Sequence, residues 1–268
     1  MERHRIPGTD LAIYVDANER RGKAILDRGL IDRRIVKVWR TIALRFMPDL
    51  VLDVGVNYGE VLFSSAYPAH ARIFGIEANA NLGDCLSRSA EAHPNGKQIK
   101  MIYALASDRD EPETRFYVNS NWSGTSAAIP HFPSSVMEER KVPGVKVDTL
   151  LSPFSAGKKV LFKIDVEGHE GLVLQGMRKT IKQAEESIGL IEFDSDYLKL
   201  AGTDPDLFLT FLNRFFHVFH AASGDRAVDL SALDFSGYKK YFGKKSIHAD
   251  LLLLSRKDRI QSLGFAHL

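Results

Sequence analysis

Short apolar runs alternate with stretches of helical period across residues 50–104, and this alternation is what most restricts the fold. Leu50–Val54, Ile73–Ile76 and Ile99–Ala104 read as strands, and Glu60–Ser65 and Asn81–Ala92 as the helices between them. Strands that alternate with helices form parallel βαβ units, so the chain is expected to build a doubly wound α/β sheet. The pattern resumes after residue 158 with strand Val160–Ile164, helix Leu172–Gln183, strand Ile188–Phe193 and helix Asp206–Phe215. Two late apolar runs, Phe216–Ala221 and Asp250–Leu254, can complete the sheet.

Before residue 49, apolar positions from Ile31 to Phe46 recur at helical spacing, with Arg33, Arg34, Lys37, Arg40 and Arg45 between them. The spacing predicts one helix over Asp27–Met47, laid by its apolar face on the sheet, and Pro48 ends it. Leu11–Arg20 is weakly patterned and reads as a strand or short helix over the site. Residues 1–48 are thus expected to be an N-terminal helical extension, and 49–268 the main domain. Between about 109 and 158 the composition shifts to Pro, Ser and Gly, with strand-like runs only at Thr114–Val118 and Val145–Val147. An insertion there is expected to lie over the strand ends.

Composition narrows the function classes. A chain of 268 residues that is 44% hydrophobic can bury a large core, and 36 basic against 34 acidic residues leave a formal charge of only +2. That balance disfavours a dedicated nucleic-acid binder. A single cysteine, Cys85, cannot form an internal disulfide and fits a buried thiol in a reducing compartment. The charged stretch from Met1 to Asp10 lacks the apolar core of a signal peptide, and no run approaches a membrane span of about 20 apolar residues. The expected location is cytoplasmic.

Three strand ends carry chemistry. Asp53-Val54-Gly55-Val56-Asn57-Tyr58-Gly59 runs from a strand into a glycine turn, where main-chain amides can approach a ligand closely. Neither the Gly-Lys-Ser/Thr phosphate loop nor G-x-G-x-x-G is present, since Asn57 and Glu60 occupy the last two glycine positions. Asp53 would oppose a diphosphate but suits a cationic amino group. Glu77 ends the next strand, about twenty residues on, the spacing at which an acid accepts from ribose hydroxyls. Ser107 and Asp108 follow the third strand, beside the expected adenine.

The fourth strand breaks abruptly at Lys163-Ile164-Asp165-Val166-Glu167-Gly168-His169-Glu170. A helix start with Asp165 or Glu167 as N-cap and Glu170 in the first turn would explain one or two of these acids, not all. Asp165, Glu167 and His169 are therefore candidate catalytic groups. His169 is one option for general base, because imidazole titrates near neutrality, with Asp165 or Glu167 as the alternatives. Asp165, Glu167, Glu192 and Asp194 can converge as oxygen ligands, but nothing in their spacing demands a metal, and none is assigned. Asn119 to Ser126, around Trp122, suits either a polyhydroxylated acceptor on an aromatic face or a solvated loop pinned by the indole. Tyr238–Lys245 interleaves aromatics with lysines and reads as a loop before the final strand.

Taken together, the glycine loop, Ile76-Glu77, Val147-Asp148-Thr149-Leu150, Phe162 to Glu170, Val173-Leu174-Gln175-Gly176 and Ile191-Glu192 resemble the FkbM family of S-adenosylmethionine-dependent methyltransferases over roughly residues 49–195. The resemblance implies a class I methyltransferase, Rossmann-like sheet of seven strands with the last antiparallel, and an insertion before the fourth. It implies S-adenosylmethionine as cofactor and methylation of a hydroxyl on a sugar, glycosylated metabolite or natural product. It further implies that Asp53, Gly55, Asn57 and Gly59 hold the methionine part and Glu77, with Asn79 beside it, the ribose. Ser107 and Asp108 would meet the adenine edge, and Asp165 the reacting methyl group. Ala78 and Ala80 stand where the family usually has prolines, so the turn after Glu77 is expected to differ. An RNA or protein methyltransferase and a non-catalytic adenosine-ligand protein are the rival readings. The expected partner is a small-molecule acceptor, with no membrane, nucleic acid disfavoured, and self-association open.

Overall fold

The computed structural model describes residues 1–221 and 226–267. It opens with an antiparallel pair, β1 (Glu2–Arg5) and β2 (Ala12–Val15), followed by α1 (Arg20–Arg28) and α2 (Arg33–Phe46). Then come β3 (Leu50–Val54), β4 (Arg72–Ile76), α3 (Gly83–Ala92) and β5 (Ile99–Ile102). β6 (Leu105–Ser107) and two strands of the insertion, β7 (Glu111–Asn119) and β8 (Met137–Lys146), form a separate sheet. After α4 (Val147–Leu151) follow β9 (Lys159–Ile164), α5 (Glu170–Gly176), α6 (Arg178–Gln183), β10 (Glu186–Asp194), α7 (Ser195–Leu200) and α8 (Pro205–Phe215). The chain closes with β11 (His217–Ala221), β12 (Arg226–Asp229), α9 (Phe235–Phe242), β13 (His248–Leu254), α10 (Arg259–Ser262) and β14 (Ala266–His267).

The main sheet has the order β14-β12-β11-β13-β10-β9-β3-β4-β5. The seven strands from β11 to β5 are those expected, and β13 is antiparallel to both β10 and β11. Two short strands, β12 and β14, extend the β11 edge, so the sheet has nine strands and not seven. The order reverses between β3 and β9, and a crevice at the carboxyl ends of strands opens at such a switch point. β3 and β9 are mostly apolar because helices cover both faces, and the buried Asp53 and Lys163 interrupt them near the site. Val51 joins α2's Ile35, Trp39 and Ile42 in one core, whereas Leu50, Leu52 and Val54 join Val173, Leu174 and Phe208 in the other.

Local chemistry explains where the helices differ from expectation. The helix expected from Asp27 begins at Arg33, because Gly29, at φ 86°, ends α1 and the Asp32 carboxylate caps the Ile35 amide at 3.0 Å. The first 48 residues are also not wholly helical, since β1 and β2 pair before α1. Glu60–Ser65 shortens to one 3-10 turn, Leu62–Ser64, between Gly59 at φ +80° and an extended Ser65. The helix expected over Leu172–Gln183 is two, broken at Met177, where Gly176 backs onto the Ser107 carbonyl and Asp148 caps α6 by accepting from the Lys179 and Thr180 amides. Residues 238–245, expected to be a loop, begin inside α9. Asp234 caps that helix through the Gly237 amide, Tyr238 is buried, and Gly243 in the left-handed region ends it.

Candidate active site

A cleft of about 300 Å³ opens at the switch point. Its walls come from the ends of four neighbouring strands: Val54 to Asn57 after β3, Ile76 to Ala78 after β4, Lys163 to Glu167 after β9, and Glu192 on β10. Ala104 to Ala106 continue the wall beyond β5, and His248 on β13 joins the acidic end. Arg21 of α1, Ile31 of the turn after it, Ile35 of α2 and Trp122 to Ser126 from the insertion cover it.

Backbone conformation shapes the glycine loop. Gly55 lies at φ +79° and Asn57 at φ +49°, and a Cβ on Gly55 would stand 1.9 Å from the Asp165 carbonyl oxygen. Only glycine lets β3 and β9 close together there. The Asn57 amide donates to Glu77 Oε2 at 2.8 Å and the Asn79 amide to Oε1 at 2.7 Å. Asn79 in turn accepts from the Asn81 amide at 3.2 Å, so an Asx cap turns the chain where Ala78 and Ala80 replace prolines. Burial pushes the Glu77 carboxyl up, against these two amides and the more distant Lys163 and Arg21.

Electrostatics divide the far end. The buried Lys163 ammonium lies 2.9 Å from Asp165 Oδ2 and 3.7 Å from Asp53 Oδ1. Burial alone would lower its pKa, but the two carboxylates outweigh that and keep it charged. The same ammonium holds Asp165 below its ordinary value although burial opposes it. Burial and then the neighbouring Asp165 and Glu170 carboxylates push Glu167 up to about 9. Glu192 rises well above its ordinary value by burial and the adjacent Asp165 and Glu167. One carboxylate oxygen each from Asp165, Glu167 and Glu192 lies within 4.8 Å of the others. Glu170 has a different task. Its Oε1 accepts from the Val166 and Gly168 amides at 3.0 and 3.1 Å, so it ties down the loop that presents Asp165 and Glu167.

The lid is bonded to the floor. Glu60, 5% exposed, accepts from the Ile31 amide at 2.7 Å and from Arg21 Nη2 at 3.1 Å. Asn57 Nδ2 donates to Ser123 Oγ at 3.3 Å, and the Ser123 amide donates to Glu19, the cap of α1, at 3.1 Å. The Arg21 guanidinium sits 5.8 Å from the centre of the Trp122 ring.

In sequence, residues 53–216 match the model of the methyltransferase FkbM domain. The chain belongs to the FkbM methyltransferase family. It is an S-adenosylmethionine-dependent methyltransferase. Among solved structures, this FkbM methyltransferase is similar to an O-methyltransferase from Bacillus cereus in complex with SAH, at 6% identity over 87% of this chain and 85% of that one, with a TM-score of 0.46. It is similar to the O-methyltransferase TomG from Streptomyces achromogenes in complex with SAM, at 11% identity over 89% and 86%, with a TM-score of 0.42. It also matches methyltransferase FkbM from Methylobacillus flagellatus, at 12% identity over 77% of this chain and 43% of that one, with a TM-score of 0.41. No curated protein matches the chain.

The cleft of this FkbM methyltransferase gathers Gly55, Asn57, Glu77, Asp165 and Glu167 from the candidate residues. Asp53 lies beneath the floor, 1% exposed, reaching the site through Lys163. Gly59 packs on Phe63, and Asn79 is buried in its turn. Ser107, Asp108 and His169 form a separate group, with Ser107 Oγ 3.3 Å from both the His169 Nε2 and Asp108 Oδ1. His169 faces a neighbouring depression with Leu105, Arg115 and Tyr117, and burial pushes its pKa down to about 4. Neither Asp165 nor Glu167 caps α5, whose N-cap is His169 without a side-chain bond. Sequence reasoning missed Glu60, directly after the glycine loop, and Arg21 and His248, which join the cleft from distant positions. The strand-end location of Glu192 was the one available signal for its place there. Among the described residues no helix is long and apolar enough to cross a membrane.

Proposed function

We propose that this methyltransferase transfers its methyl group to a hydroxyl of a sugar-like or other polyhydroxylated small molecule. On this reading the cofactor lies from Glu77 to Asp165 along the cleft, and the acceptor lies under Trp122. The observation that carries it is the carboxylate trio Asp165, Glu167 and Glu192 in the same cleft as Glu77. Glu77 follows β4 and Glu192 lies on β10, three strands away in the sheet, about 14 Å at ordinary strand spacing. That span suits a nucleoside at one end and a reacting group at the other.

The walls fit such a cofactor. Gly55 and Asn57 turn main chain toward the cleft, and Glu77 keeps acceptor capacity beyond its two amide donors. Ile76 and Ala104 to Ala106 offer a small apolar wall to an adenine. Bound there, the sulfonium supplies an electrophilic methyl group. Asp165, which the Lys163 ammonium fixes and holds below its ordinary pKa, orients the acceptor hydroxyl and is the carboxylate placed to take its proton. Trp122, below the Arg21 guanidinium, offers a ring face to the acceptor. The narrow, lidded cleft supports a small acceptor over RNA or protein.

Calorimetry with S-adenosylhomocysteine on the full chain and on Glu77→Ala tests the cofactor placement. Binding to the parent and at least about tenfold weaker binding to the variant are expected. Equal affinities would overturn the ribose assignment. S-adenosylhomocysteine release with panels of sugars, RNA and protein tests the acceptor class, and turnover confined to RNA or protein would overturn it.

A further inference from the structure

The acidic end of the cleft has an unmet need. Asp165 after β9, Glu167 in the following loop and Glu192 on β10 bring three carboxylate oxygens within 4.8 Å of one another. Glu192 is 8% exposed, lines the cleft, and its Oε2 has no hydrogen-bond partner. A buried carboxylate oxygen left without a donor costs stability unless something cationic meets it. The nearby cations are engaged elsewhere. Lys163 bonds Asp165 and faces Asp53, Arg21 pairs with Glu60, and His248 Nδ1 is 3.0 Å from Asp194 and 3.6 Å from Glu192 Oε1. Asp194 is spent as the cap of α7, accepting from the Asp196 and Tyr197 amides.

We propose that Asp165, Glu167 and Glu192 form a divalent-cation site that takes Mg²⁺ or Mn²⁺. Oxygens on opposite sides of such an ion, bound at about 2.1 Å, are about 4.2 Å apart, and neighbouring ones about 3 Å, which the observed limit accommodates. An all-carboxylate donor set favours these hard ions over zinc or copper. Three protein oxygens from one side leave the cleft-facing positions for water and for an oxygen of the acceptor. The cation would therefore hold the acceptor's hydroxyl beside Asp165, which rests on the acceptor reading given above.

The test uses the full chain stripped with a chelator and dialysed. Mn²⁺ is titrated by electron paramagnetic resonance, with Mg²⁺ as competitor, and S-adenosylhomocysteine affinity is measured on the same samples. About one Mn²⁺ per chain is expected, displaced by Mg²⁺. Glu192→Gln and, separately, Glu167→Gln should each weaken Mn²⁺ at least about tenfold while S-adenosylhomocysteine affinity holds within about twofold. Retained cofactor binding also shows that each variant is folded, and having two variants covers the case in which one is not. S-adenosylhomocysteine binding without Mn²⁺ binding by the parent would overturn the cation site and leave the cofactor reading standing. Mn²⁺ bound equally by parent and both variants would place it on surface carboxylates and overturn the proposal. Mn²⁺ binding without S-adenosylhomocysteine binding would keep the cation site and overturn the cofactor reading, and loss of both would overturn the two together.

Discussion

Gly55→Ala tests how tightly the glycine loop is clamped to β9. The new Cβ would stand 1.9 Å from the Asp165 carbonyl oxygen, 3.0 Å from its carbon and 3.4 Å from Val166 Cγ1. The two nearest atoms are backbone, and that backbone is fixed, because the Asp165 amide donates to the Val54 carbonyl at 3.1 Å and the Gly55 amide to the Ile76 carbonyl at 3.0 Å. A left-handed φ costs an alanine about 1–2 kcal/mol. Forcing the strand ends apart adds about 1–3 kcal/mol by the usual cost of overpacking. Gly157 supplies the control, since its φ is +65° and nothing lies within 4 Å of its Cβ position. Gly157→Ala carries only the backbone cost, so the difference between the two variants isolates the contact. Urea unfolding should show a loss of about 2–5 kcal/mol for Gly55→Ala and about 1–2 kcal/mol for Gly157→Ala. At about 2 °C per kcal/mol for a chain of this size, the first variant should melt about 4–10 °C lower. Its affinity for S-adenosylhomocysteine should fall with it, while that of Gly157→Ala stays at the parent value. Equal stabilities for the two variants would refute the close packing of the loop on β9.

Three further outcomes follow from single groups. His93 is 5% exposed, with Nε2 3.1 Å from the Ser65 carbonyl and Nδ1 accepting from the Asn95 amide, and burial pushes it down to about 4. A depressed histidine contributes stability above its unfolded pKa, near 6.5, and loses it as pH falls toward 4, about 3 kcal/mol across that window. His93→Gln should flatten that stretch of the stability profile in urea titrations, and an unchanged slope would count against the assignment. Glu60→Ala strands the Ile31 amide and the Arg21 guanidinium and should cost about 2–4 kcal/mol in the same unfolding assay, whereas Glu60→Gln should cost about half that. His169→Ala should keep turnover within about twofold, because His169 faces away from the cleft; a loss of tenfold or more would return it to the mechanism.

The strands that frame the site were legible because a central parallel strand must be apolar on both faces, and β3, β4, β9 and β10 each announce themselves that way. β12 and β14 were not, since four and two residues at a sheet edge leave no pattern to detect. The β7–β8 hairpin extends well beyond Thr114–Val118 and Val145–Val147. Most of its outer residues are exposed and charged, so the ladder, not side-chain alternation, sets its length.

At the site, distance along the chain misled in both directions. Asp165 and His169 are four residues apart and part company, because Glu167 at φ +53° and Gly168 at φ +94° turn the chain between them. Glu192 is far from Asp165 in sequence and meets it, and His248 joins through Glu192, because β10 pairs with β9 on one side and β13 on the other. Ser107 lies outside the cleft for a smaller reason. Its Oγ lies 3.3 Å from His169 Nε2 and its carbonyl backs onto Gly176, so it is engaged with α5 and not with the cleft, and no sequence pattern announces that contact. A strand-end acid therefore earns attention as a site residue when its neighbour in the sheet also ends in one, and Asp165 beside Glu192 meets that condition where His169 does not.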